Sequence, residues 1–467
     1  MDLLANFENI IKAYNEYVGN YAILFLLVPT GIYLTIRLKF IQIFKFKHAW
    51  QLVAGKFDKK DEQGDVSHFK ALTTALSSTV GTGNIVGVAL AIYYGGPGAV
   101  FWLWVCGFFG MMLKLVECTL ALKYRKINED GTVSGGPMYY MEIGLKEKLG
   151  KFAKILALVF AFAAMLCSFG TGNMAQANSM SDVLFTNYAI PTVVTGVVTA
   201  LITMVIIIGG IKRIGDVTSK LVPFMAIFYF IGSIIVLIVF AKQIPGAFKM
   251  ILHDAFTGSA AVGGFVGSTF MMTMIWGIRR ALFSNEAGQG SAPMAHAAAK
   301  TKYPMREGLV ASLEPFLDTI VICTLTALVV IVTGAWSSSI KGAAMTVNAF
   351  EAGFAEIGIV GYARHFIAIA LVLFAFSTIV GWSYYGSRAA QYVFGDKAIK
   401  PYYFVYCGFI ILGSVWGIDL VWHFVDMVIT FMTIPNLIAL FLLTPVIVKE
   451  SREYFAMMKE EKKFNKM

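Results

Sequence analysis

The stretch ALSSTVGTGNIVGVA, residues 75–89, lies inside a charge-free run from Ala71 to Leu113, yet eight of its fifteen residues are Gly, Ser, Thr or Asn. The run is long enough to cross a bilayer and return, because about 20 apolar residues at roughly 1.5 Å each span the hydrocarbon layer. Its centre is built from the residues that open helices. Inside lipid an unpaired backbone group costs several kcal/mol, so backbone leaves the helix only where protein or a cavity covers it. The alternative is a close-packing surface, and Gly83 and Gly87 do form a GxxxG pair.

Of 467 residues, 58% are hydrophobic and 14% charged, the composition of an integral membrane protein. The formal charge of +10 does not point to nucleic acid, because the basic residues sit between apolar spans and form no patch on a soluble face. Cys106, Cys118, Cys167, Cys323 and Cys407 fall in or beside apolar runs without metal or disulfide spacing, which predicts reduced packing residues. The N-terminus, with Asp2 and Glu8, lacks the basic start of a cleavable signal, so the first span is expected to stay.

The apolar criterion predicts eleven transmembrane helices, near residues 18–43, 70–93, 97–122, 152–181, 191–211, 217–241, 258–283, 308–333, 362–386, 401–418 and 424–447. With the N-terminus outside, 33 of the 38 basic residues fall on the inner side, leaving Lys12, Lys242, Lys249, Lys341 and Arg364 opposite. The positive-inside rule then predicts an extracellular N-terminus, and a cytoplasmic tail over 448–467 that is solvated or lies on the membrane surface.

A second span, opening GSAAVGGFVGSTFMMTMIWGI from residue 258, repeats the small polar composition five spans after the first. An odd number of spans reverses direction, so the chain divides into two five-helix units related by inversion. These are 68–241 and 255–447, after one extra N-terminal helix over 18–43, all within a single transporter domain. Inverted repeats that each begin with a broken helix mark the central site of a secondary transporter. At such a break the outer half-helix presents free N–H groups to a carboxylate, and the inner half presents carbonyl oxygens to a small hard cation or an ammonium group.

Three separated motifs, GGPGAVFWLWVCGFFG (95–110), SGGPMYY (134–140) and FSNEAGQGSAPMAHAAA (283–299), resemble those of the alanine or glycine:cation symporter family. The usual Trp-Met-Trp reads Trp102-Leu103-Trp104, and Gly107 replaces another small residue. The resemblance implies the leucine-transporter fold with two discontinuous helices, and small neutral amino acids carried with Na⁺. It further implies that the amides of Thr82 and Gly83 meet the substrate carboxylate, with Thr79 and Gly81 beside the amino group. The carbonyls of Ser77, Val80 and Phe374 and the hydroxyls of Ser377 and Thr378 are then the sodium ligands. Asn84, grouped with the substrate residues, matches a ligand of the leucine transporter's other sodium site. The seventh core helix has no Asn to complete that site, so one sodium per cycle is expected.

Ser168, Thr171, Gly172, Ala175 and Ser179 recur at 3,4 spacing in the third core helix, a face that either packs tightly or borders the cavity. Thr269, Thr273, Met274, Trp276 and Gly277 are the pocket candidates of the second broken helix, and Trp382 would narrow the pocket in favour of alanine and glycine. Glu117 is expected to pair with Lys114 or Lys123. Arg279 and Arg280 precede Asn285 and Glu286, which are placed to cap or latch an inner gate, and Glu314, Asp318 and Asp426 are unassigned. The six histidines show no metal-ligand spacing, and no nucleophile–base constellation suggests an enzyme. The expectation is a plasma-membrane, Na⁺-coupled amino-acid symporter working by alternating access. The alternative is a proton-coupled or other small-solute symporter of the same fold.

Overall fold

The computed structural model describes residues 9–58, 62–128, 131–260, 267–416 and 418–464. Helix α1 (Asn20–Arg37) opens the bundle. The 75–89 stretch then splits one span into α2 (His68–Thr79) and α3 (Val88–Gly95), joined through a π-turn at Gly83–Gly87 and bent by 52°. Next come α4 (Ala99–Lys123), α5 (Lys151–Tyr188), α6 (Thr192–Ile207) and α7 (Gly210–Val239). The second half holds α8 (Phe270–Asn285), α9 (Pro304–Val332), α10 (Ala363–Phe394), α11 (Ile399–Val415) and α12 (Ile418–Phe464). A two-stranded hairpin, β1 (Lys126–Ile127) and β2 (Val133–Ser134), follows α4.

Among the described residues seven helices are long and apolar enough to cross a membrane, besides the bent pair α2/α3 and two shorter apolar helices. The chain is a multi-pass membrane protein. Packing follows the chain order: α3 lies on α8, α4 on α9, α5 on α10 and α6 on α11. All five cysteines are buried and unbridged.

Several boundaries differ from the apolar-run expectation. The first span stops at Arg37, because Lys39 and Phe40 turn the chain with φ of 55° each. The turn between α6 and α7 shrinks to Ile208 and Gly209, with Gly210 at φ +63°, so Lys212 and Arg213 sit in the first turn of α7. The tail does not leave the bundle. It continues α12, where Tyr454 Oη is 2.8 Å from His48 Nε2 and Glu450 pairs with Lys123. In the span expected at 258–283, the described residues before Phe270 are non-helical, with Ser259 and Ser268 bridged, and α8 runs from Phe270. Residues 261–266 of that glycine-rich stretch lie outside the described residues.

Candidate functional site

The helical ladder of α2 ends where Val80 N–H donates to Leu76 O at 2.8 Å and Val80 turns to ψ 89°. From there the backbone groups find side chains. Gly81 N–H donates to Asn84 Oδ1 at 2.9 Å, and Thr82 N–H to Gln176 Oε1 at 3.1 Å. A Cβ on Gly81 would stand 2.4 Å from Thr378 Oγ1, so α10 reaches the break only because residue 81 is glycine.

On the other side of the break the carbonyls meet α10. Ser377 Oγ lies 3.2 Å from Ser77 O, 3.4 Å from Val80 O and 3.0 Å from Phe374 O. Thr378 Oγ1 lies 3.4 Å from Val80 O and 3.1 Å from Phe374 O. Five neutral oxygens therefore converge on one point of the α2–α10 contact. Ligands at right angles around a hard cation, about 2.4 Å from it, are about 3.4 Å apart, so the spacing fits such an ion. No imidazole or thiolate joins the set, which disfavours a transition metal.

Gln176 was not in the expected stripe. Counting 3,4 steps from Ser168 selects Thr171, Gly172, Ala175 and Ser179, but a π-turn at Gly170–Met174 adds a residue to the turn and rotates the following face by about one position. Gln176 Nε2 also donates to Thr171 O at 3.1 Å. Ser168 bonds Tyr402 Oη at 2.8 Å, away from the break. Gly172 packs on Trp382, where a Cβ would stand 2.1 Å from the indole.

After α8 the chain is interrupted at 286–292, later than the expected break in the glycine-rich stretch from 258, of which residues 261–266 lie outside the described residues. Glu286 adopts φ 55°, and helix resumes at Pro293. Side chains satisfy this second break as well. Glu117 Oε1 accepts from Gly290 N–H at 3.1 Å and Asn436 Nδ2 at 2.5 Å, while Asn436 Nδ2 also reaches Gly288 O at 2.9 Å. Glu286 accepts from Ser291 Oγ at 2.5 Å and from Trp382 Nε1 at 2.7 Å, tying the break to α10. The expected pairing of Glu117 with a lysine is thus replaced: Lys114 reaches Glu314 at 3.1 Å and Lys123 turns outward to Glu450.

Because the second break lies later in the chain, Thr273, Met274, Trp276 and Gly277 are not beside the first one. Thr269 caps α8 through Met272 N–H, and Thr273 Oγ1 donates to Gly95 O at 2.8 Å. Gly277 packs on Ala99 O, and Met274 packs against the core from a half-buried position. Trp276 stacks on Tyr94 at 4.3 Å and borders a cavity of about 280 Å³ that also holds Arg279, Arg280, Lys341 and Asp426. Arg279 and Arg280, counted above with the basic-rich side, face Asp426 in the same cavity as Lys341. Phe283 and Ser284, not Thr273, are the α8 residues against Gly83.

Asn84 uses both ends of its amide. Its Oδ1 accepts from Gly81, and its Nδ2 donates to Asp318 Oδ1 at 2.6 Å. Asp318 Oδ2 accepts from Ser284 Oγ at 2.8 Å and Thr319 Oγ1 at 2.7 Å. This carboxylate, in a π-helical segment Phe316–Cys323, stands where the sequence offered no Asn. Thr79 Oγ1 bonds back to Ala75 O and Leu76 O at 3.3 Å, within its own helix.

Beneath the centre, on the side of the basic loops, lies a buried ionic chain. His68 Nδ1 contacts Glu307 Oε2. His296 Nδ1 is 2.5 Å from Glu307 Oε1 and its Nε2 2.6 Å from Glu314 Oε1, and Glu314 Oε2 meets Lys114. Carboxylates only accept, so His296 donates from both nitrogens. Among the described residues Cys118, His296 and Glu314 bring ligand atoms within 4.8 Å of one another, but the imidazole nitrogens and the carboxylate are already engaged in this chain.

A span bent at its centre, with side chains satisfying its amides and a hydroxyl pair meeting its carbonyls, is the kind of interrupted helix found at the centre of secondary transporters. MhsT, solved in complex with L-phenylalanine, is similar in fold, with a TM-score of 0.57 at 17% identity over 82% of this chain and 89% of that one. The chain belongs to the sodium:alanine symporter family, whose model matches residues 4–467. It is 42% identical to the sodium/alanine symporter AgcS of Methanococcus maripaludis over 98% of this chain and 99% of that protein. An uncharacterized transporter of Haemophilus influenzae is also 42% identical, over 97% of both. The protein is a symporter, not an enzyme.

Proposed function

We propose that this chain imports small neutral amino acids, alanine and glycine, each with one Na⁺, by alternating access across the plasma membrane. The observation that carries the reading is the convergence of Ser77 O, Val80 O, Phe374 O, Ser377 Oγ and Thr378 Oγ1 at the break where the Thr82 amide leaves the helical ladder and bonds Gln176. A cation bound by the carbonyls orders the unwound segment, which lowers the cost of forming the amino-acid site beside it and so couples the two. The amides of Thr82 and Gly83 take the carboxylate, Gln176 yielding its bond to Thr82. Gly81 and the Thr171–Gly172 turn border the ammonium. Trp382, pressed on Gly172, limits the side chain to a methyl or a hydrogen. One Na⁺ per cycle corresponds to the one cluster of neutral oxygens at the α2–α10 contact.

The same reading includes eleven spans, an extra helix followed by five-plus-five inverted repeats, with the N-terminus outside and the Lys- and Arg-rich face in the cytoplasm. The pairing of α3 with α8, α4 with α9, α5 with α10 and α6 with α11 supports the repeat.

Proton coupling is the second reading, favoured by Asp318, a buried carboxylate bonded to neutral donors only. Uptake of labelled alanine into proteoliposomes under imposed gradients separates the two. The Na⁺ reading expects accumulation with an inward Na⁺ gradient at equal pH on both sides; accumulation driven by H⁺ alone would sink it. Linkage adds a binding test: alanine must raise Na⁺ affinity as much as Na⁺ raises that of alanine. Calorimetry that finds each indifferent to the other would refute the coupling.

A further inference from the structure

We infer that the cavity at the basic-rich end of the α2–α10 cleft is a release-side docking site, in which Arg388 takes the carboxylate of the departing amino acid. This rests on the transport reading above. The cavity encloses about 720 Å³, and Asp65, Lys126, Lys212, Tyr384, Arg388 and Asp396 line it.

Position links the cavity to the central site. Ser377, Gly381, Tyr384 and Arg388 recur at 3,4 spacing and share one face of α10, which places Arg388 about 16 Å along the helix from the oxygen cluster. Gly381 lies on the same contact, where a Cβ would stand 2.2 Å from Ser78 Oγ and 2.6 Å from Ser77 Oγ of α2. Asp65, two residues before the Ser67 cap of α2, lines the cavity, so the oxygen cluster and the cavity lie along the same face of α10, the cavity near the start of α2.

Charge gives the cavity its ligand. The Arg388 guanidinium stacks over Tyr384, 5.1 Å from the ring centre, and its Nε is buried without a hydrogen-bond partner. Among the described residues no carboxylate or carbonyl pairs with it. The two acids of the cavity bond neutral donors on its own wall, not Arg388: Asp65 Oδ2 accepts from Val133 N–H at 3.0 Å, and Asp396 Oδ1 from Gln391 Nε2 at 2.6 Å. Lys126 and Lys212 are exposed and likewise make no ion pair among the described residues. A planar fork of donors with an unmet Nε is matched to a carboxylate, which it binds through two parallel hydrogen bonds. The central site holds the same carboxylate by backbone amides alone, so a guanidinium farther along α10 offers the substrate a second partner as it leaves.

The test is sided exchange of labelled alanine by the full chain in proteoliposomes of uniform orientation. Losing one charge-assisted bond corresponds to about tenfold in affinity. Arg388→Gln is expected to raise the half-saturating alanine concentration on the basic-rich side by that factor, leave the opposite side unchanged, and be partly restored by Arg388→Lys. Half-saturation within twofold of the unsubstituted protein on that side would overturn the inference. So would an equal shift on both sides, which marks a global disturbance, or an effect seen only in liposomes with anionic lipid, which assigns Arg388 to a headgroup phosphate. Absence of Na⁺-driven uptake by the unsubstituted protein would remove the transport reading and this inference together.

Discussion

Two buried polar regions lie within a few turns of each other and are built on opposite principles. At the α2–α3 break the groups are neutral except for Asp318 behind Asn84: carbonyls, hydroxyls and the carboxamides of Asn84 and Gln176. Below it, His68, Glu307, His296, Glu314 and Lys114 are fully or almost fully buried and joined end to end by charge. A neutral oxygen shell holds a cation with modest energy and can release it. A buried ionic chain cannot open cheaply, since separating one pair leaves a charge unsolvated. The chain joins α2, α4, the short helix Pro293–His296 and α9, so it binds these elements into one body. Release belongs to the neutral region and rigidity to the charged one.

Breaking the charged region should therefore have the largest effect, and on the fold. Glu307→Ala leaves His68 and His296 facing an empty acceptor position, and removing one partner of a buried pair costs about 3–5 kcal/mol. Thermal unfolding in detergent should fall by many degrees, with a loss of monodisperse protein. An unchanged melting temperature would show that the ionic chain does not hold the bundle together.

The neutral region should fail functionally while the fold survives. Ser377→Ala with Thr378→Ala removes two of five ligands, and each hydroxyl bond is worth about 0.5–1.5 kcal/mol. The Na⁺ concentration for half-maximal uptake should rise by more than tenfold, with unfolding temperature nearly constant. Equal loss of stability in this double variant and in Glu307→Ala would erase the contrast between the regions.

Gln176→Ala sharpens the same comparison within the neutral set. It frees the Thr82 amide but leaves the five oxygens intact, so alanine affinity should change by severalfold while Na⁺ affinity measured without alanine stays put. Equilibrium binding of each ligand alone checks this. A matched change in intrinsic Na⁺ affinity would mean that Gln176 shapes the cation site.

How much of this was legible without coordinates depends on what each residue type signals. The first break stood out because Gly, Ser, Thr and Asn are rare in the centre of an apolar run, whereas Ser377–Thr378 stood out only through the family resemblance. The second break is expected near residue 258, because the Gly, Ser and Thr of that span repeat the composition of the first break five spans on. Burial of Glu286 depends on Ser291 and Trp382, partners that only folding brings together. Gln176 was hidden by a π-turn that shifts helical phase, and Asp318 by its place in another π-helical segment. The ionic chain was invisible because its bonded partners stand 11 to 239 residues apart. Periodicity reports one helix at a time, and these features depend on several.

Substitution of Trp382 is the most discriminating comparison, because it separates shape from hydrogen bonding at the pocket wall. Trp382→Phe keeps a ring over Gly172 but deletes the N–H that donates to Glu286 Oε1, leaving that carboxylate with Ser291. A lost bond to a charged acceptor is worth about 1.5–3 kcal/mol, and part is recovered wherever water reaches the freed oxygen. Alanine uptake should therefore weaken by about tenfold at most, through slower turnover as the tie between the second break and α10 loosens. Preference for alanine over leucine should persist, since the ring still fills the space. Trp382→Ala provides the contrast: it removes the volume too, and leucine should then compete with alanine for uptake. If Trp382→Phe already admits leucine, the hydrogen bond to Glu286 positions the pocket wall, and residue volume alone does not set selectivity.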